Sequence, residues 1–299
     1  MMEKIMENSL IIERKNLSST IFYLLLFVFY LQASVDCWVW EDSFLGRDNF
    51  HTKIEKEWPA TKSRSLSLYI QPHKITTILQ PSHYCKSAKP YLNIIVVSKD
   101  DNFESRHEIR FSKGIRRRVD SKKITINFLI GLSKNSSVNE KIQEESQDYG
   151  DIIQESFHTS FYNATIEIGM AFKWIIKNCN NTQYFGIFRD DSHIDSVNLI
   201  ETISRIQKNK NKSLLIGHLK SNEYASRDPY SDWYMPSYEF EDEYYPQYLE
   251  TKNGYIMSFD VVKKIYNVAM SQPFVHFDDV FFTGICAEKA GVKRVDIKN

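Results

Sequence analysis

The sequence predicts an α/β fold for residues 90–299, built on a Rossmann-like, mainly parallel central sheet. Short apolar runs rich in β-branched residues alternate along this region with longer stretches in which apolar residues recur at helical spacing. Strands that alternate with helices in this way usually pair in parallel, because each helix carries the chain back across the sheet. The strand candidates are residues 92–98, 124–131, 184–188 and 214–219, and the helix candidates are residues 164–178, 197–208 and 261–271.

The first two strand candidates are continuous apolar runs. Residues 92–98 read LNIIVVS and residues 124–131 read ITINFLIG. Runs of this length are typical of strands that are buried on both faces. The helix at residues 164–178 follows them, and apolar residues recur in it at helical spacing: Ile168, Ala171, Phe172 and Ile175.

The third strand candidate ends directly before a group of charged residues. Residues 184–188 read YFGIF, and Arg189, Asp190 and Asp191 follow at once. Ligands of open α/β sheets bind at the carboxyl ends of the strands, where these residues lie. Two carboxylates there can bind Mn²⁺ or Mg²⁺, and the ion can also bind a diphosphate. A solvated turn is the other interpretation, since Asp-Asp pairs also occur at residues 100–101 and 278–279.

The N-terminal region carries a membrane-targeting signal. Residues 21–31 read IFYLLLFVFYL, with basic residues before the run and acidic residues after it. The positive-inside tendency predicts a cytosolic N-terminus and a translocated remainder of the chain. We therefore expect a single-pass type II anchor, with a cytosolic tail at 1–19, a transmembrane segment at 20–36, a stem at 37–89 and a catalytic domain at 90–299. A cleaved signal peptide is an alternative, because the apolar run is short for a full span.

Composition agrees with a secretory globular protein and gives no sign of a nucleic-acid partner. Lysine plus arginine and aspartate plus glutamate are equal at 38 each, so the basic excess that nucleic-acid binding needs is missing. At most one disulfide forms among the three cysteines well beyond the apolar run, which are Cys85, Cys179 and Cys286. Glycosylation sequons in the predicted luminal part stand at Asn135, Asn163, Asn180 and Asn211.

Motifs spread over about two-thirds of the chain resemble those of the β-1,3-galactosyltransferase family, which includes β-1,3-N-acetylglucosaminyltransferases and relatives of Fringe. Residues 149–153 (YGDII) match a family element, and residues 106–110 (RHEIR) resemble its R-x-A-I-R element. Residues 189–191 fall on the family's D-D-D element, and residues 278–280 (DDV) on its E-D-V element. Four further family elements match in order between those two: RDP at residues 227–229, KWY at residues 233–234, YP-x-Y at residues 245–248 and GY at residues 254–255.

The resemblance implies a GT-A fold and a metal-dependent, inverting transfer of galactose or N-acetylglucosamine from a UDP-sugar to a glycan in a β-1,3 linkage. It implies that Asp279 is the general base and that Asp191 binds Mn²⁺ or Mg²⁺. The implied donor-binding residues are Arg106, Arg110, Asp190 and Asp191. The implied acceptor-binding residues are Trp233, Tyr234, Tyr245, Tyr248, Gly254 and Tyr255. The implied location is the Golgi membrane with a luminal catalytic domain, and the acceptor is carried by a glycoprotein or glycolipid.

Several positions depart from the family pattern. Arg189 replaces the first carboxylate of the D-D-D element, which puts a cation beside the expected metal site. Residues 249–253 (LETKN) replace a loop that carries a cysteine in the family, so Cys286 lacks its usual partner and Cys85–Cys179 becomes a possible pair. These changes favour a second hypothesis, a catalytically degenerate relative that acts as a glycan-binding or partner protein.

Overall fold

The computed structural model describes residues 58–82, 85, 89–207 and 213–298, and a mainly parallel sheet lies at the centre of this part of the chain. The strands, in chain order, are β1 (Thr77–Leu79), β2 (Leu92–Val97), β3 (Arg118–Val119), β4 (Lys122–Ile130), β5 (Ile152–Glu155), β6 (Tyr184–Arg189), β7 (Leu215–Gly217), β8 (Leu219–Lys220), β9 (Tyr248–Leu249), β10 (Tyr255–Ser258) and β11 (Val295–Asp296).

The central sheet has the strand order β1-β5-β4-β2-β6-β10-β7-β11, and β3 pairs with β4 at its side. Strands β5, β4, β2 and β6 run parallel to one another. Strand β10 is antiparallel to both of its neighbours, β6 and β7. Strands β8 and β9 form a separate two-stranded ribbon. The predicted mixed α/β fold with a mainly parallel sheet is therefore confirmed.

Helices cover both faces of the sheet. They are α1 (Leu66–Ile70), α2 (Phe103–Phe111), α3 (Ser136–Tyr149), α4 (Ala164–Asn178), α5 (Ser196–Gln207), α6 (Phe259–Ala269) and α7 (Ala287–Lys289), with 3₁₀ turns at Phe161–Asn163 and Thr251–Asn253 and a π-helix at Val280–Cys286.

Two apolar layers follow from the alternation of side chains along the strands. In β2, Ile95 and Val97 join one core cluster with α1, α4, α6 and the π-helix, whereas Ile94 and Val96 join the other with α2, α3 and α5. Successive residues of a strand point to opposite faces, so a run that is apolar throughout can serve both layers. Strand β2 is buried along its whole length, which explains the continuous apolar pattern of residues 92–98.

The predicted strand at residues 214–219 is divided in the structure. Residues Leu215–Gly217 belong to the central sheet as β7, while Leu219 already belongs to β8 and pairs with β9. The predicted helix at residues 164–178 has the same bounds as α4. Apolar periodicity thus locates an element well, but it does not report a change of sheet partner within a short run.

The folded domain begins further toward the N-terminus than residue 90. Leu66 and Ile70 of α1 are fully buried, and both lie within 3.2 Å of the point where a Cβ on Gly169 of α4 would stand. Strand β1 pairs with β5 at the edge of the central sheet. Residues 58–82 are therefore part of the domain rather than of a stem, and their elements are too short for periodicity to detect.

The predicted membrane segment at residues 20–36 lies outside the described residues. Within the part of the chain that the structure describes, no helix is both long enough and apolar enough to cross a membrane.

One disulfide joins two distant parts of the domain. Cys85 and Cys179 are bonded across a sequence separation of 94 residues, with their Cα atoms 4.8 Å apart. Cys286 is a buried free thiol, and burial raises its pKa to about 12.

Candidate functional site

The carboxyl ends of β2 and β6 bring two loops together at one edge of the sheet. The two strands are parallel, and Val97 is in register with Arg189. The Asp190 carboxylate accepts hydrogen bonds from Ser98 Oγ at 2.8 Å and from Asn102 Nδ2 at 2.8 Å, and its third donor, the backbone N–H of Lys99, is at 3.3 Å. Asp190 is thus held by the loop that follows β2.

Arg106 supports that loop from behind. Its side chain is fully buried and pairs with Glu145 of α3 at 2.8 Å. The same guanidinium donates to Ser98 Oγ at 3.0 Å and to the carbonyl oxygen of Lys99 at 2.7 Å. A direct donor contact, as predicted for Arg106, is not available to a buried and paired guanidinium, so Arg106 acts on Asp190 through Ser98.

Arg110 is paired in the same network. Its guanidinium contacts Glu145 at 2.6 Å and Asp151 at 2.8 Å, and its side chain is 4% exposed. It also stacks over the ring of Tyr149, with 4.1 Å from its Cζ to the ring centroid. A groove of about 320 Å³ between α2 and α3 is lined by Phe103, Glu104, His107, Arg110, Glu145 and Tyr149. Arg110 therefore has a structural role in holding α2 to α3, and its predicted donor contact stays a prediction.

Asp191 stands next to Asp190 and is exposed. The following residue, Ser192, donates to the carbonyl oxygen of Lys252 at 2.8 Å, which joins this turn to the Thr251–Asn253 turn. No group of three or more His, Cys, Asp or Glu side chains suited to a metal ion occurs among the described residues. Asp191 offers an accessible carboxylate, and ions such as Mg²⁺ commonly use one or two carboxylates with substrate phosphates as further ligands. The residues present fit that kind of site.

Arg189 turns away from Asp190 and Asp191. Its guanidinium pairs with Asp278 at 2.9 Å and with Glu167 of α4 at 3.2 Å. Burial alone would lower the pKa of Arg189, but Asp278 and Glu167 together raise it above its ordinary value. Burial raises the pKa of Glu167 to about 7, against the lowering effect of Arg189. Arg189, the cation that the sequence placed beside the expected metal site, is therefore paired with Asp278 and Glu167 in a separate buried cluster.

Asp279 follows Asp278 and directly precedes the π-helix. Its Oδ1 accepts a hydrogen bond from the backbone N–H of Val280 at 2.8 Å, so it caps that helix. Burial, followed by repulsion from the Asp278 carboxylate, raises the pKa of Asp279 to about 7. A carboxylate with a pKa near neutral pH is suited to accept a proton from a substrate hydroxyl.

Residues 224–248 are rich in aromatic side chains, several of them exposed. Trp233 is 68% exposed, and its ring centroid lies 5.8 Å from that of Phe277. Tyr245 and Tyr248 meet edge to face at 6.2 Å. Burial raises the pKa of Tyr248, and the Asp279 carboxylate raises it further. The next residue, Leu249, is hydrogen-bonded to the Thr283 hydroxyl, which also donates to the carbonyl oxygen of Asp279. Several exposed aromatics here were not predicted from sequence: Tyr224, Tyr230, Tyr238 and Tyr244.

Two of the predicted acceptor-binding residues have internal positions instead. Tyr255 is 1% exposed, so it cannot present a ring face to a sugar. Gly254 has φ of +73°, and a Cβ there would lie 2.2 Å from ring atoms of Phe188. Packing against Phe188 thus accounts for the glycine. Tyr234 is half-buried, and it remains a candidate.

The predicted glycosylation sites differ in exposure. Asn135 and Asn180 are exposed. The Asn163 side-chain amide donates to the carbonyl oxygen of His158 at 2.8 Å, and Thr165 of the same sequon is fully buried. Asn211 lies outside the described residues.

Glu167 and Thr251 are site residues that the sequence did not predict. Glu167 is one of two buried charged residues in a largely apolar helix, the other being Lys173, and Thr251 donates to Asp278 Oδ2 at 2.7 Å. A charged residue within the apolar pattern of α4 was the available signal for Glu167. Nothing in the local sequence of Thr251 indicated its partner.

Comparisons with known proteins identify the family of this domain. The galactosyltransferase family profile matches residues 104–298. Human beta-1,3-galactosyltransferase 5 is 30% identical over 217 residues, which cover 73% of this chain and 69% of that protein. Mouse beta-1,3-galactosyltransferase 1 is 29% identical over 223 residues, which cover 75% of this chain and 68% of that protein. Among solved structures, the yeast mannosyltransferase Ktr4p aligns with a TM-score of 0.33 at 10% identity, over 83% of this chain and 80% of that one. On the sequence matches, the chain is a glycosyltransferase and belongs to the β-1,3-galactosyltransferase family.

Proposed function

We propose that this glycosyltransferase moves galactose from UDP-galactose to a glycan hydroxyl and forms a β-1,3 linkage with inversion at the anomeric carbon. The observation that carries the proposal is the position of Asp279. Its half-buried carboxylate has a pKa of about 7 and stands at the start of a helix. The preceding residue, Asp278, forms an ion pair with Arg189 at the end of β6.

The chemistry requires a base because a sugar hydroxyl is a poor nucleophile until its proton is removed. Asp279 accepts that proton as the hydroxyl oxygen bonds to the anomeric carbon and the bond to the UDP oxygen breaks. A single displacement of this kind inverts the anomeric configuration. Tyr248 belongs to β9, which the Thr283 hydroxyl joins to Asp279, and Trp233 offers an exposed face, so both are suited to hold the acceptor sugar.

The donor end of the proposed site is the turn after β6. Asp190 is held by Ser98, Lys99 and Asn102, so the adjacent Asp191 projects from a fixed turn. A divalent cation held by Asp191, such as Mn²⁺ or Mg²⁺, would offset the charge of the UDP leaving group. Glu145 and Arg106 stabilise the loop that holds Asp190.

We also propose a luminal Golgi location for the domain, with the membrane anchor at residues 20–36. The Cys85–Cys179 disulfide is consistent with this, since such bonds persist in the secretory pathway and are rare in the cytosol. Exposed sequons at Asn135 and Asn180 agree with the same compartment.

The test is transfer by the purified chain from UDP-galactose and from UDP-N-acetylglucosamine to a panel of glycan acceptors, with Mn²⁺ and with a chelator. We expect a β-1,3-galactosyl product that depends on Mn²⁺. Asp279→Asn is expected to lower kcat by about 100-fold or more, because it removes the base. Asp191→Ala is expected to abolish the dependence on Mn²⁺ together with most of the activity.

Asp148→Asn is the matched control, because Asp148 is an exposed aspartate of α3, and it is expected to keep wild-type activity. Transfer of N-acetylglucosamine in place of galactose would refute the proposed donor. Failure of the wild-type chain to bind UDP or to transfer from either donor would refute the enzyme proposal and favour a glycan-binding role.

A further inference from the structure

The residue that departs most from the family motif occupies a buried position of its own. Arg189 ends β6, Glu167 belongs to α4, and Asp278 lies on the segment between α6 and the π-helix. The guanidinium of Arg189 joins the other two, at 3.2 Å to Glu167 and 2.9 Å to Asp278. One side chain thus connects three elements that are distant in the sequence.

The cluster is buried enough for its charges to matter. The side chain of Glu167 is 1% exposed, that of Asp278 is 10% exposed, and that of Arg189 is 26% exposed. Two carboxylates so close together repel strongly in a poorly solvated site unless a cation lies between them. Arg189 supplies that cation, so the position of Asp278 depends on it.

The position of Asp278 determines that of Asp279. Asp278 uses one oxygen for Arg189 and the other for the Thr251 hydroxyl at 2.7 Å, so its carboxylate is held from two sides. The next residue, Asp279, is held by the N–H of Val280 at 2.8 Å. A change that releases Asp278 therefore also releases the chain that carries Asp279.

Arg189 is kept apart from the donor end of the site. Asp190 has its own donors on the β2 side, Ser98, Lys99 and Asn102, whereas Arg189 is bonded to α4 and to the segment before the π-helix. The arginine at the first position of the motif, where the family has a carboxylate, thus contacts the segment that carries Asp279 and not the residues that hold Asp190.

We propose that Arg189 is a positioning residue for Asp279, which it acts on by bridging Glu167 and Asp278. This inference rests on the proposed function, in which Asp279 is the base. It has a specific consequence: restoring an aspartate at this position, as in the family's triplet, impairs the enzyme, because three carboxylates then meet in one buried site.

The experiment measures kcat and the KM for UDP-galactose and for the acceptor in the full-length chain and its variants. Arg189→Met is expected to lower kcat by about tenfold or more while both KM values change by less than about threefold, since misplacing a catalytic group by about 1 Å can cost 100-fold in rate. Arg189→Lys is expected to recover part of kcat, because it keeps the charge. Arg189→Asp is expected to be less active than Arg189→Met.

Two further variants separate positioning from folding. Arg189→Met combined with Glu167→Gln removes one buried carboxylate along with the cation, and it is expected to fold and to be more active than Arg189→Met alone. Arg294→Met removes a different arginine, which pairs with Glu288, and it is expected to retain wild-type kcat. If Arg189→Met does not fold, the double variant carries the test of kcat.

The outcomes distinguish this inference from the proposed function. An inactive wild-type chain refutes the proposed function. An active wild type with unchanged kcat in Arg189→Met, or with a change confined to the KM for UDP-galactose, overturns the positioning role alone. Higher activity in Arg189→Asp than in wild type would also overturn it.

Discussion

At the scale of single residues, the role proposed for Asp279 carries a cost in stability. Asp279 has a pKa of about 7 because burial and Asp278 oppose its ionisation. The ionised carboxylate, which is the form that can accept a proton, is therefore the form that destabilises the folded protein. Sites that tune a carboxylate toward neutral pH commonly show this trade-off between activity and stability.

The resulting pH dependence has a definite sign. The pKa of Asp279 is about 7 in the folded protein and about 3.9 in an unfolded chain. Its contribution to stability is thus present below about pH 4 and is lost as the pH rises through 7. Asp279→Asn stays neutral and keeps the oxygen that caps the helix, so it is expected to be more stable than wild type at pH 8, on the order of 1–2 kcal/mol.

Urea unfolding of wild type and Asp279→Asn at pH 4 and pH 8 checks this expectation. The difference in the free energy of unfolding should be largest at pH 8 and should nearly vanish at pH 4. A variant that is less stable than wild type at pH 8 would mean that the Asp279 carboxylate is stabilised in its charged form.

Sequence motifs predicted site roles for Asp190 and Asp279 but did not indicate the residues that hold them. Glu167 lies 22 residues from Arg189, and Asp278 lies 89 residues from it. Such contacts depend on how α4 packs against the end of β6, and local sequence carries no record of this. Burial of Arg106, whose predicted role was donor binding, likewise follows from packing between α2 and α3.

At the scale of elements, the apolar pattern identified those with a continuous apolar run or with a dense apolar repeat at helical spacing. Helix α4 and strands β2 and β6 match their predicted ranges closely. Helix α3 was not predicted, because only Ile142 and Glu145 are buried in its 14 residues. The π-helix was not predicted either, because its seven residues, VFFTGIC, are too short an apolar run to show a helical repeat.

The connection between the Thr251–Asn253 turn and β10 requires a glycine at residue 254. Gly254 has φ of +73° and no room for a Cβ against Phe188. Gly254→Ala combines backbone strain with a clash in the core, so it is expected to lower the free energy of unfolding by about 2–4 kcal/mol.

The control for this prediction is Gly291→Ala, where φ is +65° but nothing lies within 4 Å of the added Cβ. It carries backbone strain alone and is expected to cost about 1 kcal/mol. Both variants are measured by urea unfolding. Equal losses in the two would show that Phe188 moves aside without cost, which would remove packing as the reason for the glycine.

At the scale of the whole molecule, residues 58–82 contact the segment that precedes Asp278 and Asp279. The Trp58 N–H donates to Glu239 at 3.2 Å, and Glu239 also accepts from His276, two residues before Asp278. Arg64 donates to the carbonyl oxygens of Glu239 and Phe274 at 2.8 and 3.1 Å. The segment that the sequence suggested was a stem therefore supports the loop that leads to Asp279.

This arrangement predicts where the domain can be shortened. A chain of residues 55–299 keeps every described contact, whereas a chain of residues 90–299 loses α1, β1 and the disulfide partner Cys85. We expect residues 55–299 to unfold cooperatively and residues 90–299 to be unstable. Within the longer chain, Leu66→Ala should already cost about 2–5 kcal/mol, because Leu66 is fully buried against α4.

Thermal unfolding and limited proteolysis of the three proteins provide the measurement, and transfer activity provides a second readout. The expected order of stability is residues 55–299, then its Leu66→Ala variant, then residues 90–299. Transfer activity should decrease in the same order, because Trp58 and Arg64 support the segment before Asp278. If residues 90–299 unfold at the same temperature as residues 55–299, the packing of α1 and β1 contributes nothing to the fold, and the domain boundary at residue 90 that the sequence predicted is the correct one.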